Sequence, residues 1–245
     1  MIAITDHDNV DVINELGLDN DIKVIVGTEF STLHNKENVH LLAYYKNNMP
    51  NENVQKLLKG LEVSRISRAK KMLYNLEKYY GFKLDLDELL KISEGSVGRP
   101  AMARLLLKHY NISREEAFLK YLGNDSPCYI PSSNLELKDV IDFLHNNDAI
   151  CVLAHPILYK KTSIQDFIKL GIDGIECHYP QHDYNYRKKL VNLANKYNLL
   201  ITGGSDFHDK RLEKNNGHGL IGDAYIEENN INELLERLEI KCKRL

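Results

Sequence analysis

The chain has 245 residues, of which 43% are hydrophobic and 27% charged, with a formal net charge of −3. That length holds one large α/β domain or a domain carrying an insertion, and the composition is that of an ordinary globular chain with ample core. The mild acidity speaks against a general polyanion-coating protein or a stable DNA partner. No apolar run is long enough to span a bilayer, and no secretory leader pattern opens the sequence.

The first apolar run, "MIAIT" at 1–5, reads as a buried strand that delivers the charged group Asp6-His7-Asp8 from its C-terminal end. Further strands are expected at "KVIVGTEF" 23–30 and "VHLLAYY" 39–45. The stretch from 50 to 134 then changes character. Val54, Leu58, Leu61, Ala69, Met72, Leu76 and Tyr80 recur at close to helical spacing, and "GRPAMARLLLKHY" 98–110 sets Pro100 near a helix start. "SREEAFLKYLG" 113–123 holds a capping box from Ser113 to Glu116 and ends on Gly123. No strand pattern interrupts this block, which reads as a helical insertion subdomain within a barrel formed by 1–49 and 135–245.

Beyond it the strand rhythm resumes at "AICVLAHP" 149–156, "GIDGIEC" 171–177 and "LLITGGSD" 199–206. A helix over 163–170 lies between two of these, capped by Ser163 and stopped by Gly171. Continuous apolar runs suit parallel strands buried on both faces, and their alternation with helices argues for βα units around a parallel sheet or barrel. The four cysteines, Cys128, Cys151, Cys177 and Cys242, form no C-x-x-C pair, and Cys151 and Cys177 sit inside strand runs. Core thiols in a reducing, cytoplasmic setting are expected.

Polar residues collect at the strand ends. His7 follows the first run, Glu29 lies at the end of the second, His40 sits in the third, His155 ends the fourth, and Asp206 and His208 follow the last. In parallel α/β proteins those ends converge on one face, where active sites form. Imidazoles with carboxylates are the ligand set for Zn²⁺, Mn²⁺ or Fe²⁺, and no thiolate stands at these positions. Each residue alone has an ordinary explanation in the core, on the surface or as a turn cap, but six on one rim point to a metal site. His34, His109, His145 and His218 stand in polar or helical contexts and read as ordinary histidines; His178 stays open. Arg65, Arg68, Lys70 and Lys71 form a charge run on the first long helix. A solvated face explains the lysines, whereas Arg65 and Arg68, three apart, could line a nucleotide cleft.

The ordered motifs "AITDHD", "GTEFS", "VHLLAYY", "GRPAMA", "VLAHP", "GIDGIE" and "TGGSDFH" resemble the polymerase and histidinol phosphatase (PHP) family. The likeness covers nearly the whole chain and is greatest to the branch acting on nucleoside 3′,5′-bisphosphates and RNA 5′ ends. It implies a distorted seven-stranded (β/α) barrel with up to three divalent metals, their ligands carried over as His7, Glu29, His40, His155, Asp206 and His208. Asp6 would orient the His7 imidazole. Arg99 of the "GRP" motif would contact the substrate phosphate, with Arg65, Arg68 and His182 also facing substrate. Ala101 stands where the family often has His, and no His-x-His occurs anywhere in the sequence. Residues 1–5 therefore resemble the second barrel strand, and the first βα unit, about 30 residues, is expected to be missing from this chain.

The resulting expectation is a hydrolase that cleaves phosphomonoesters or phosphodiesters of nucleotides or short RNA through a metal-activated water. The alternatives are an impaired or inactive remnant that binds nucleotide or a partner, and a histidinol-phosphate-type phosphatase, against which the helical insertion and "GRP" argue.

Overall fold

The computed structural model describes residues 1–10, 22–93, 97–131, 135–208 and 218–240. Cys242 lies outside them, as do 94–96 and 132–134 of the expected helical block. Six strands form one sheet in chain order: β1 (Ile2–Ile4), β2 (Val24–His34), β3 (Glu37–Tyr45), β4 (Ala149–Leu153), β5 (Gly174–His178) and β6 (Leu200–Gly203). β1–β2, β4–β5 and β5–β6 pair parallel, but β3 runs antiparallel to both neighbours, so the sheet is mixed rather than parallel. The cause is local. Asn35 and Lys36 both take positive φ, 49° and 59°, the two-residue turn whose twist matches a hairpin.

Apolar runs rather than strict alternation marked the strands because both faces of the sheet are covered. Leu41, Ala43, Tyr45, Cys151 and Leu153 point into one core, while Leu42, Tyr44, Ile150, Val152 and Ala154 point into another. The first core is closed by α5 (Leu137–His145), α6 (Ile164–Lys169) and α7 (Tyr184–Tyr197), the second by α8 (Glu228–Arg237). Cys151 and Cys177 are both wholly buried in the first core as free thiols. β1 and β6 are the two ends of the strand order. Yet the ring of His7, just past β1, lies 5.9 Å from that of His208, just past β6, so the sheet curls until its ends face each other.

Between β3 and β4 the described residues carry helices α1 (Glu52–Tyr80), α2 (Leu86–Ile92), α3 (Arg99–His109) and α4 (Arg114–Glu116), the last running into a π-helical turn over Ala117–Tyr121. α1 starts where the Asn51 side chain accepts the Val54 N–H and stops at Gly81 in the left-handed conformation, φ 73°. Its first half gives Val54 and Leu58 to the sheet core, while Ala69, Met72, Leu73 and Leu76 pack into a separate cluster with α2 and α3. Arg65 and Arg68 fall between the two, where this helix passes from one core to the other. No helix among the described residues is long and apolar enough to cross a membrane.

Candidate metal centre

The mixed sheet explains how six polar residues from different strands reach one rim. β1, β4 and β6 arrive by their C-terminal ends, bringing His7, His155, Asp206 and His208. β3 runs the other way, so His40, near its beginning, is level with those ends, and its partner across the hairpin is Ser31. Glu29 stands in the middle of β2, because the hairpin carries that strand beyond the rim. His7 is fixed to it by backbone: Glu29 N–H donates to the Asp6 carbonyl and Asp8 N–H to the Glu29 carbonyl, each at 3.1 Å. Asp6 thus holds the His7 segment through its main chain.

At the centre three ligand-type atoms form a triangle. His40 Nδ1 is 2.7 Å from Glu29 Oε1, His155 Nε2 is 3.1 Å from the same oxygen, and the two nitrogens are 3.2 Å apart. Glu29 Oε2 lies 3.6 Å from His7 Nδ1, a buried nitrogen with no hydrogen-bond partner. Tyr159 ties His155 to His40. Its oxygen receives the His40 N–H at 3.0 Å and lies 3.4 Å from the His40 carbonyl, to which its own hydrogen points, and 3.3 Å from His155 Nδ1. Where the hydroxyl accepts an Nδ1–H, His155 Nε2 turns a bare lone pair toward Glu29 and His40. The backbone of His155 is unusual, φ 26° and ψ 60°, and its N–H is held by Glu176 Oε2 at 2.7 Å.

The charges agree with a cation site. Burial opposes ionisation of Glu29, yet His7 and His40, with hydrogen bonds from His155 and His40, hold its carboxyl well below the usual range. Burial pushes the His7 pKa down. Burial also acts to lower His40, but Glu29, helped by Asp206 and Asp8, outweighs it and raises that imidazole. Glu176 is pushed up to about 8, by burial first and by the Asp206 and Glu29 carboxylates besides. The carboxylates of Glu29, Asp206 and Asp8 thus all favour positive charge at His40. Converging lone pairs about 3 Å apart, the spacing of neighbouring ligands around a Zn²⁺-sized ion, fit a divalent metal.

A second group adjoins the first. The ligand atoms of Asp206, His208 and His218 lie within 4.8 Å of one another. His7 bridges the two groups, its ring 4.8 Å from His40 and 5.9 Å from His208. The structure thus brings all six residues of the sequence-derived ligand set to one rim, and places His218, which the sequence presented as an ordinary histidine, beside Asp206 and His208. Asp8, Tyr159, Glu176 and Tyr179 also went unassigned in the sequence. Glu176 carried a signal, a charge inside an apolar strand run; Tyr159 and Tyr179 carried none.

The four substrate-facing candidates are placed differently. Arg65 is spent on Asp8, through Nε at 2.8 Å and through Nη2, and also reaches Ser31 Oγ at 2.9 Å. Arg68 is buried and donates from Nε to the Ile130 carbonyl at 2.6 Å. Arg99 donates to Asn124 Oδ1 at 3.1 Å and lies over the Tyr129 ring, so its contacts are within the helical block rather than among the imidazoles. His182 is buried behind the rim with Nδ1 2.9 Å from the Cys177 carbonyl and Nε2 unpartnered; burial pushes its pKa down to about 4. Its ring meets that of Tyr179, whose hydroxyl donates to Asp206 Oδ2 at 3.3 Å.

No protein-family model matches the sequence. A 5′-3′ exoribonuclease of Haemophilus influenzae is 27% identical over 218 residues, spanning 85% of this chain and 79% of that protein. A 3′,5′-nucleoside bisphosphate phosphatase of Chromobacterium violaceum is 26% identical over 221 residues, 85% of this chain and 76% of that protein. Among solved structures, a metal-dependent phosphoesterase from Bifidobacterium adolescentis superposes with a TM-score of 0.80 at 27% identity, covering 96% of this chain and 85% of that one. Over most of its length the chain is similar to phosphoesterases, two of them named for RNA or nucleotide substrates.

Proposed function

We propose that the chain hydrolyses phosphoesters of nucleotides or RNA 5′ ends, using divalent ions (Mn²⁺, Zn²⁺ or Fe²⁺) held by His7, Glu29, His40, His155, Asp206 and His208. The observation that carries this reading is the Glu29–His40–His155 triangle, three metal-ligating atoms from three strands or strand ends that converge within 2.7–3.2 Å of one another. Ions bound there supply a water of lowered pKa and neutralise charge on the phosphoryl oxygens.

The chain's own groups do the rest. Tyr159 holds His155 in the tautomer that presents Nε2, Glu176 holds its backbone, and Tyr179 steadies Asp206. We assign phosphate recognition to the helical block over 50–134, lying against the barrel of 1–49 and 135–245. Burial pushes Arg68 down to about 10, and the nearby Arg99 and Arg65 add to the effect. Three guanidiniums close enough to repel one another favour an anion between them and the rim. Arg68 and Arg99 are the clamp in this reading, while Arg65 positions the rim and His182 backs its floor. The nucleotide class comes from the relatives, two of which are named for RNA and nucleoside bisphosphate substrates.

The test uses the chain stripped with EDTA and reloaded with Mn²⁺, Zn²⁺ or Fe²⁺ under argon, offered a nucleoside 3′,5′-bisphosphate and a 5′-phosphorylated RNA oligonucleotide. Release of phosphate or mononucleotide is expected with metal, absent without it, and lost in Glu29→Gln. Failure to cleave either substrate with any of the three ions overturns the proposal.

A further inference from the structure

We propose that His218 is a ligand of the metal centre, completing with Asp206 and His208 a three-donor face opposite the Glu29 triangle. The inference rests on the metal-centre reading above and extends it to a residue outside the family motif set. His218 Nδ1 lies 2.7 Å from Asp206 Oδ2, and its ring centroid is 4.2 Å from that of His208 with the planes tilted by 44°. The two imidazoles and the carboxylate are thus mutually adjacent, like His40, His155 and Glu29 across the rim.

The backbone delivers His218 to this place by a specific contact. Gly219 N–H donates to the Ser205 carbonyl at 2.7 Å, joining the residue after His218 to the residue before Asp206. A Cβ at Gly219 would come 2.8 Å from Pro180 Cγ, 3.0 Å from Asp223 Cβ and 3.2 Å from the Ser205 carbonyl oxygen. Only a glycine lets the chain pass this close without displacing its neighbours. Asp206 itself takes φ 51°, a left-handed turn that brings the carboxylate back under both histidines. Asp206 Oδ2 also receives the Tyr179 hydroxyl, so the carboxylate is oriented without His218. The second imidazole is therefore not required to hold Asp206 in place. It adds an imidazole where a carboxylate and another imidazole already converge, which is the arrangement a borderline divalent ion selects.

The experiment compares the wild-type chain with His218→Ala and His218→Gln, and with His109→Ala as a distant control. Each is titrated with Co²⁺ and Zn²⁺, reading stoichiometry by elemental analysis, affinity by calorimetry and the Co²⁺ visible spectrum, with circular dichroism to confirm folding. Gln can still donate a hydrogen bond to Asp206 but does not replace an imidazole nitrogen. Both His218 variants are expected to lose one ion or to bind it roughly tenfold or more weakly, with an altered Co²⁺ spectrum, while His109→Ala matches wild type. Wild-type binding in His218→Gln would mean that His218 only hydrogen-bonds to Asp206, and it overturns the assignment, as does wild-type binding in both variants. A wild-type chain that takes up no ion overturns the metal-centre reading itself, and the His218 assignment with it.

Discussion

Asp8 and Arg65 form a buried ion pair between the residue that follows His7 and the middle of the long helix α1. The Asp8 carboxylate, 3% exposed, receives Arg65 on Oδ2 and the Ser31 N–H on Oδ1. Helix and rim are thus tied here, and the carboxylate has almost no water to fall back on. Arg65→Ala leaves the carboxylate buried and uncompensated, at an expected cost of roughly 3–5 kcal/mol. The double variant Arg65→Ala/Asp8→Asn should recover part of that loss. Urea unfolding of the four proteins in the cycle measures the coupling, and a single-variant loss below about 1 kcal/mol would place the pair with ordinary surface bridges.

Tyr159→Phe removes the hydroxyl that lies against His155 Nδ1 and accepts the His40 N–H, while leaving the ring packed near Phe167. The His155 imidazole is then free to take the other tautomer, which places a proton on the nitrogen facing Glu29. Metal affinity should drop about 10–100-fold, with the fold retained. Calorimetric titration with Zn²⁺ checks this, and unchanged affinity would show that the hydroxyl does not set the tautomer.

At the opposite end of β4, His145 Nε2 lies 2.8 Å from Asp173 Oδ2. That hydrogen bond, acting against partial burial, raises the His145 pKa above 6.5. A folded-state pKa above the unfolded one favours the protonated protein. The contribution is therefore full below about 6.5, the unfolded value, and fades as pH rises through the folded value. His145→Gln should flatten this alkaline limb of the stability curve without altering metal uptake. Identical pH profiles for the two proteins, followed by thermal unfolding of the metal-free forms, would remove the pair from any stabilising role.

Gly203 closes β6 directly beneath Asp206. A Cβ there would lie 2.6 Å from His178 Cβ and 2.9 Å from the His178 carbonyl oxygen, so a substitution must push β5 and β6 apart. Gly203→Ala should destabilise the chain by about 1–3 kcal/mol and weaken metal binding through the displaced Asp206 turn. Stability and Co²⁺ titration together report both effects. A variant as stable as wild type would mean the strands have slack that the contacts do not suggest.

Much of this molecule could be read from local pattern. Each of the six strands overlaps an apolar run, because β2 to β6 are covered on both faces and have no polar face to break the run; β1, expected to be buried, is instead half-exposed at the end of the strand order. Asn51, Ser113 and Ser163 cap their helices with side-chain oxygens, and Gly81 ends α1 with the positive φ that only a residue without Cβ adopts freely. Such signals work because the physics behind them acts within a few residues. Strand direction was less legible: the turn at Asn35 and Lys36 reverses β3, and an apolar run looks the same in either orientation.

The residue types of the metal rim were visible for the same reason, as polar side chains standing at the ends of apolar runs. Their roles were not, since a role depends on what each atom faces. The guanidinium of Arg65 and the carboxylate of Asp8 are 57 residues apart in sequence, and no local pattern pairs them. The hydroxyl of Tyr159 is assigned by three atoms of His40 and His155, which meet only once β3 and β4 are side by side. His218 looked ordinary in "NNGHGLIG" because its neighbours in sequence carry no ligand. It becomes a candidate ligand only when Gly219 binds the Ser205 carbonyl, since coordination depends on distances between side chains that only the folded sheet brings together.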